Sequence, residues 1–229
     1  MFVRVILAFA LSVPLAAWAQ GEADFARLAR SAGTPQIPGL HIVYLAPLGD
    51  PAKAAWQNII LHQTEGAPGA AKSLAEGQSR NPTRRGVIVW VETDGTVYWS
   101  VPETTVTTHG DGANRNDNKY IDNTKTYRQV TRLNSIGVEF NGNAPDVRQP
   151  LTPEQFAVGL ILVRFLQERY GIPPEQVYAH NWIDYKDARY CEGCALAERV
   201  RAEGYRPGQA ALKAEPRPQS GVKGSATGR

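Results

Sequence analysis

The chain has 229 residues, and its 25 Lys and Arg against 22 Asp and Glu give it a net charge of +3. The positive excess lies at the two ends, in Arg4 and in the segment after residue 204, so residues 20–204 carry a small negative charge. Nucleic-acid-binding proteins gather basic charge on a folded face, so we expect no nucleic-acid partner. The length suits one domain with a substantial core.

The first nineteen residues have the pattern of a secretory signal peptide. Arg4 precedes an apolar run over residues 5–15, and Ala17 and Ala19 occupy the two positions that a signal peptidase reads. The run is shorter than the roughly 20 residues that span a bilayer, and polar sequence follows it. We therefore expect cleavage before Gln20, no transmembrane segment in the mature chain, and a periplasmic or secreted protein.

Hydrophobic patterns along the rest of the chain predict helices and strands in alternation. In chain order these are a helix over 23–32, strands over 41–45 and within 56–64, a helix over 70–76, strands over 87–93 and 96–101, a strand over 136–140, a helix over 153–170, a strand over 177–180 and a helix over 195–204. Asp94-Gly95 predicts a hairpin turn, because this pair tolerates positive φ angles. Thr152 and Gln155 form a capping-box pattern at the start of the longest helix.

This alternation predicts an α/β fold, with a single domain whose central mixed β-sheet is flanked by helices. We place that domain over residues 40–204, after a helical segment over 20–39. Residues 205–229 are rich in Pro, Gly, Ser and basic residues and lack an apolar period, so we expect a disordered basic tail. The polar stretch over 107–131 is long for a connection inside a compact domain, which indicates a functional loop.

Three side chains at predicted strand ends are candidates for chemistry. His62 and His180 each end a strand, where the sheet fixes the position of an imidazole and suits a metal ligand. Taken alone, either histidine has a structural role more often than a ligand role. Glu139 shares a strand face with the small Gly137, so it suits a general base beside a metal site. The alternative for Glu139 is a solvated strand face.

The segment after His180 offers a third ligand. Zinc binds Cys, His and Asp, and a catalytic site leaves one position open; His62, His180 and Cys191 would meet that requirement. Cys191 and Cys194 are the two cysteines of the chain. In an oxidising compartment they could instead form a disulfide, which would remove Cys191 from the site. The sequence leaves both readings open.

These motifs resemble the type 2 N-acetylmuramoyl-L-alanine amidase family, which is related to peptidoglycan recognition proteins and phage amidases. The resemblance covers roughly residues 40–200, and its matching segments are 60–64, 93–98, 108–110, 134–139, 179–180 and 190–193. Two departures from the family pattern lie in the segment after His180. The interval from His180 to Cys191 is longer than expected, and Glu192 stands where the family usually has Pro.

The resemblance implies one Zn²⁺ and hydrolysis of the amide between the lactyl group of N-acetylmuramic acid and L-alanine in peptidoglycan. By position, the zinc ligands would be His62, His180 and Cys191, and Glu139 would be the general base.

A further catalytic role follows from the same resemblance. Arg189, or Lys186 in its place, would stabilise the oxyanion. We expect His109 and Trp182 to contact the substrate, and the protein to be a monomer whose partner is peptidoglycan or a muropeptide. Two alternatives stay open: a peptidoglycan-binding module of the same fold without catalysis, and a zinc amidase that acts on another amide bond.

Overall fold

The computed structural model describes residues 15–64, 66–113, 122–142, 150–184 and 191–208. Its helices are α1 (Leu15–Ala29), α2 (Ala71–Arg80), α3 (Asn123–Thr126), α4 (Pro153–Tyr170) and α5 (Cys194–Glu203). Its strands are β1 (Ile42–Tyr44), β2 (Asn58–Gln63), β3 (Val89–Val91), β4 (Val97–Trp99), β5 (Ser135–Phe140) and β6 (Val177–Ala179). Each predicted element is present, and α3 is an addition within the polar stretch over 107–131.

The six strands form one sheet in the order β1-β4-β3-β5-β2-β6. The predicted hairpin pairs β3 with β4 in antiparallel fashion, and the other four strand pairs are parallel. The prediction of an α/β domain with a central mixed sheet is therefore confirmed. Because β2, β5 and β6 run in the same direction, their carboxyl ends meet at one edge of the sheet.

The core lies on both faces of the central strands. All six residues of β2 are buried, as expected for a strand covered on both sides. The α4 helix packs over the sheet with Leu162, Phe165 and Leu166 fully buried. The capping box at its start is present, because Thr152 Oγ1 accepts a hydrogen bond from the Gln155 amide at 3.0 Å. Gly171 ends the helix with φ 71°.

A buried ion pair ties the N-terminal segment to α4. The Arg169 guanidinium donates to both carboxylate oxygens of Glu103, at 2.5 and 2.9 Å. It also donates to the carbonyls of Ala29, Ser31 and Gly49 at 2.6 to 2.8 Å. Both charged side chains are fully enclosed, so these hydrogen bonds replace the water that each group loses on folding.

The structure describes the two ends of the chain only in part, so it does not test the export prediction. Residues 1–14 and the tail beyond residue 208 lie outside the described residues, so the signal peptide and the disordered tail stay predictions. The α1 helix runs through the predicted cleavage position before Gln20. Within the described part of the chain, no helix is long and apolar enough to cross a bilayer.

Candidate metal centre

The sheet register brings the predicted strand-end residues together. The Cα atom of His62 pairs with that of Glu139, and Glu139 pairs with Trp90 on its other side. On the far side of β2, Leu61 pairs with Ala179, so the next residue, His180, follows at the same edge. Side chains in one row of a sheet point to the same face. The register therefore places Trp90, Glu139 and His62 side by side on one face.

Three potential ligand atoms meet at this edge. Nδ1 of His62 lies 2.9 Å from Nδ1 of His180. The same Nδ1 atom of His180 lies 2.9 Å from Oε2 of Glu192. The distance from His62 Nδ1 to Glu192 Oε2 is 3.7 Å. All three residues are at most 5% exposed. Tetrahedral zinc with bonds of about 2.0–2.1 Å separates its ligand atoms by roughly 3.3 Å. The two imidazoles and the carboxylate thus fit a metal ion in kind and in spacing.

The protonation of these groups favours ligation. Burial lowers the pKa of His62 well below its ordinary value, and the neighbouring His180 lowers it further. Burial alone would raise the pKa of Glu192, but the neighbouring imidazoles of His180 and His62 outweigh it and hold this pKa below its ordinary range. Neutral imidazole and ionised carboxylate are the forms that bind metal ions.

The third residue at this cluster is not the one that the sequence predicts as a ligand. Cys191 is joined to Cys194 by a disulfide, and a disulfide sulfur carries no thiolate to ligate a metal. The next residue, Glu192, supplies an oxygen to the cluster instead. The sequence analysis did not single out Glu192, although its place where the family usually has Pro was a signal, and a ligand role for it is a proposal.

Backbone contacts hold Glu192 in position. Its amide donates to Oδ1 of Asn181 at 2.7 Å. Gly193 follows with φ 74°, and a Cβ atom there would lie 2.6 Å from Cβ of Leu61. The chain therefore passes so close to β2 that only glycine fits at this position.

The remaining predicted residues have different outcomes. Glu139 is half-buried and lines the same cleft as His62 and His180. Arg189 and Lys186 lie outside the described residues. Trp182 is a correction: its side chain is 2% exposed and packs in the core, with the Arg201 guanidinium 4.6 Å from its ring centroid. Trp182 belongs to a short helical turn over His180–Trp182 whose three residues are all buried.

His109 lies behind the cluster and also borders the cleft. Its Nδ1 is 3.1 Å from Nε2 of His62, and its Nε2 is 3.1 Å from the carbonyl oxygen of Ser135. Burial lowers the pKa of His109 to about 4, so its ring is neutral near pH 7. The predicted substrate contact of His109 stays a prediction.

The cluster forms the floor of a cleft of about 330 Å³. One wall consists of Leu74, Arg85, Gly86 and Trp90. Arg85 is exposed, and the sequence reasoning did not identify it. A bridge between Arg85 and Thr108 brings this cation to the cleft.

A family model described as N-acetylmuramoyl-L-alanine amidase matches residues 52–194. No curated protein sequence matches the chain.

Several solved structures are similar. The N-acetylmuramoyl-L-alanine amidase LysC from Clostridium intestinale URNW is 19% identical, with a TM-score of 0.50 over 74% of this chain and 97% of its own. The endolysin amidase LysCS from the same organism is 20% identical, with a TM-score of 0.49 over 71% and 93%. A mutant endolysin from Bacillus subtilis is 21% identical, with a TM-score of 0.48 over 71% and 97%. At such identities the likeness concerns the fold alone.

Proposed function

Because the chain belongs to the N-acetylmuramoyl-L-alanine amidase family, we propose that it is a zinc-dependent hydrolase of peptidoglycan. Its substrate is the amide bond between the lactyl group of N-acetylmuramic acid and the L-alanine of the stem peptide. One observation carries the proposal: the ligand atoms of His62, His180 and Glu192 converge beside Glu139 on the floor of an open cleft.

In this proposal His62, His180 and Glu192 hold the zinc ion. These three protein ligands leave a coordination position open, which is the pattern of a catalytic rather than a structural zinc site. When bound, zinc supplies Lewis-acid chemistry, because it polarises a carbonyl group and lowers the pKa of a water ligand.

Glu139 performs the proton transfers. Its carboxylate lines the same cleft as His62, one strand away from it. The carboxylate accepts a proton from the attacking water and delivers it to the nitrogen of the leaving L-alanine. Side chains in such a role accelerate reactions by about 10²–10⁴-fold.

One cation among the described cleft residues suits an anionic group of the substrate. The stem peptide carries free carboxylates, and Arg85 presents an exposed guanidinium on the cleft wall. We propose that Arg85 binds one of these carboxylates. Arg189, or Lys186, is proposed to balance the negative charge that develops on the carbonyl oxygen, as the family resemblance implies.

The test uses the mature chain from Gln20 onward, loaded with zinc and incubated with muropeptides. We expect release of free stem peptide, and a loss of about 10²–10⁴-fold in rate for Glu139→Ala. Glu154→Ala is a matched control, because Glu154 is exposed at the start of α4. A wild-type rate for Glu139→Ala would remove Glu139 from this role. Binding of muropeptide without any cleavage would indicate a non-catalytic binding module.

A further inference from the structure

His109 occupies a space made for it beside β5. Its side chain is 8% exposed, and it lies over Gly137. A Cβ atom at Gly137 would lie 2.9 Å from Nδ1 of His109 and 2.7 Å from a methyl carbon of Val87. The absence of a side chain at Gly137 therefore lets the His109 ring reach the back of the candidate metal centre.

The hydrogen bonds of His109 determine which nitrogen carries the proton in its own ring and in the ring of His62. A carbonyl oxygen can only accept a hydrogen bond, so His109 Nε2, 3.1 Å from the oxygen of Ser135, carries the proton. In the neutral ring Nδ1 is then an acceptor, and it lies 3.1 Å from Nε2 of His62. His62 must donate this bond through Nε2. The lone pair of neutral His62 is consequently on Nδ1, the atom that faces His180 and Glu192.

We propose that His109 is a positioning residue that holds His62 in the tautomer able to bind the metal through Nδ1. The backbone oxygen of Ser135 determines that Nε2 of His109 carries the proton. Nδ1 of His109 in turn determines that Nε2 of His62 carries the proton. This inference rests on the metal centre proposed above. Outer hydrogen-bond partners of ligating histidines generally fix ring orientation and tautomer, and here the partner is a second histidine.

The same contacts bear on the expected substrate role of His109. Both ring nitrogens already have partners inside the protein, Ser135 on one side and His62 on the other. A hydrogen bond to substrate would break one of these contacts. The geometry therefore favours a role exerted through His62.

His180, the second histidine of the cluster, also has a hydrogen-bond partner at Nε2, but this partner is a carboxylate. Nε2 of His180 lies 3.2 Å from Oδ2 of Asp184. A carboxylate accepts the ring proton at this position and leaves Nδ1 of His180 directed towards the cluster. His62 has no carboxylate at its Nε2 within the described residues, and His109 takes that place.

The first experiment reads the tautomer directly by nitrogen NMR of the mature chain with ¹⁵N-labelled histidine. In the metal-free protein we expect His62 to carry its proton on Nε2, and in the zinc-loaded protein we expect ligation through Nδ1. A proton on Nδ1, or ligation through Nε2, would overturn the proposal. The tautomer of His62 in the metal-free protein is measured without amidase activity. Failure of this inference can therefore be distinguished from failure of the proposed function.

The second experiment compares His109→Asn with His109→Gln. The Asn amide oxygen can take the place of Nδ1 and accept from His62, whereas the Gln amide group reaches the position of Nε2 and leaves His62 without its acceptor. We expect H109Q to weaken zinc binding about 10–100-fold in chelator competition, and H109N to weaken it less. Circular dichroism checks that both variants fold. Wild-type zinc affinity in H109Q, or equal losses in both variants, would contradict the proposal; if H109Q does not fold, the NMR result decides.

Discussion

Nδ1 of His62 lies 2.9 Å from Nδ1 of His180, although 118 residues separate the two in the chain. The two rings meet because β2 and β6 are parallel neighbours that end at the same edge of the sheet. Two buried nitrogens at this distance, with the Glu192 carboxylate beside them, create a site that a cation would stabilise.

The identity of the third ligand can be tested by separating Glu192 from the cysteines. We expect Glu192→Ala to weaken zinc binding by more than the roughly 10–100-fold typical of losing an outer hydrogen-bond partner. The double variant Cys191→Ser/Cys194→Ser removes both sulfurs and keeps the carboxylate, so it should still bind one zinc. Metal content after dialysis measures both. Zinc retained by Glu192→Ala and lost by the double variant would instead make Cys191 the ligand.

Gly137 is predicted to be intolerant of any side chain. In Gly137→Ala the added Cβ would crowd Val87 and His109, and overpacking of this kind costs about 1–3 kcal/mol of unfolding free energy. Urea denaturation measures the loss. Gly21→Ala is the control, because nothing lies within 4 Å of a Cβ at that helical position. Equal stability of Gly137→Ala and wild type would show that the His109 ring can move aside.

The buried ion pair is expected to contribute strongly to stability. Glu103→Ala leaves the Arg169 guanidinium enclosed without its carboxylate, and breaking a buried pair in this way costs about 3–5 kcal/mol. Arg199→Ala breaks a solvent-exposed pair with Glu203, and it should change the unfolding free energy little. Chemical denaturation of both variants gives the comparison. Similar small effects for the two would mean that water reaches Arg169.

Stability should fall in acid partly through Glu92. Burial raises the pKa of this carboxyl, but hydrogen bonds from the amides of Gly69, Thr93 and Ala71 outweigh it and bring the pKa below the ordinary 4.5. As the pH falls below 4.5, the unfolded chain therefore binds more protons at this carboxyl than the folded protein does. The contribution of Glu92 is complete above pH 4.5 and is lost as the pH falls through its folded pKa.

Glu92→Gln isolates this contribution, because the amide keeps the shape of the side chain but does not titrate. We expect the unfolding free energy of wild type to fall more steeply than that of Glu92→Gln as the pH drops below 4.5. Denaturation curves at a series of pH values measure the two slopes. Parallel slopes would assign the acid sensitivity to other groups.

The sequence predicted most of the elements and the residues at strand ends. Turn and cap residues such as Asp94-Gly95 and Thr152 act locally, so their patterns are readable without the fold. His62, His180 and Glu139 were predictable for a related reason, because a strand end on a rigid sheet limits where a side chain can lie.

The rest depended on contacts between distant segments. Glu192 lies at the cluster beside the Cys191–Cys194 disulfide, and its amide donates to Oδ1 of Asn181, a residue of another segment. Trp182 lies in a short helical turn straight after β6 and packs in the core among residues from distant segments. Arg85 reaches the cleft through its bridge to Thr108, and no pattern in the sequence signals such a pairing.

The most direct test of the account is the mass spectrum of the products formed from a purified muropeptide by the zinc-loaded mature chain. The account predicts two products, an N-acetylmuramic acid fragment with a free lactyl carboxyl group and a stem peptide with a free L-alanine amine, and it predicts that a chelator abolishes both. Cleavage at any other bond, or the same cleavage with undiminished rate after zinc removal, would contradict it.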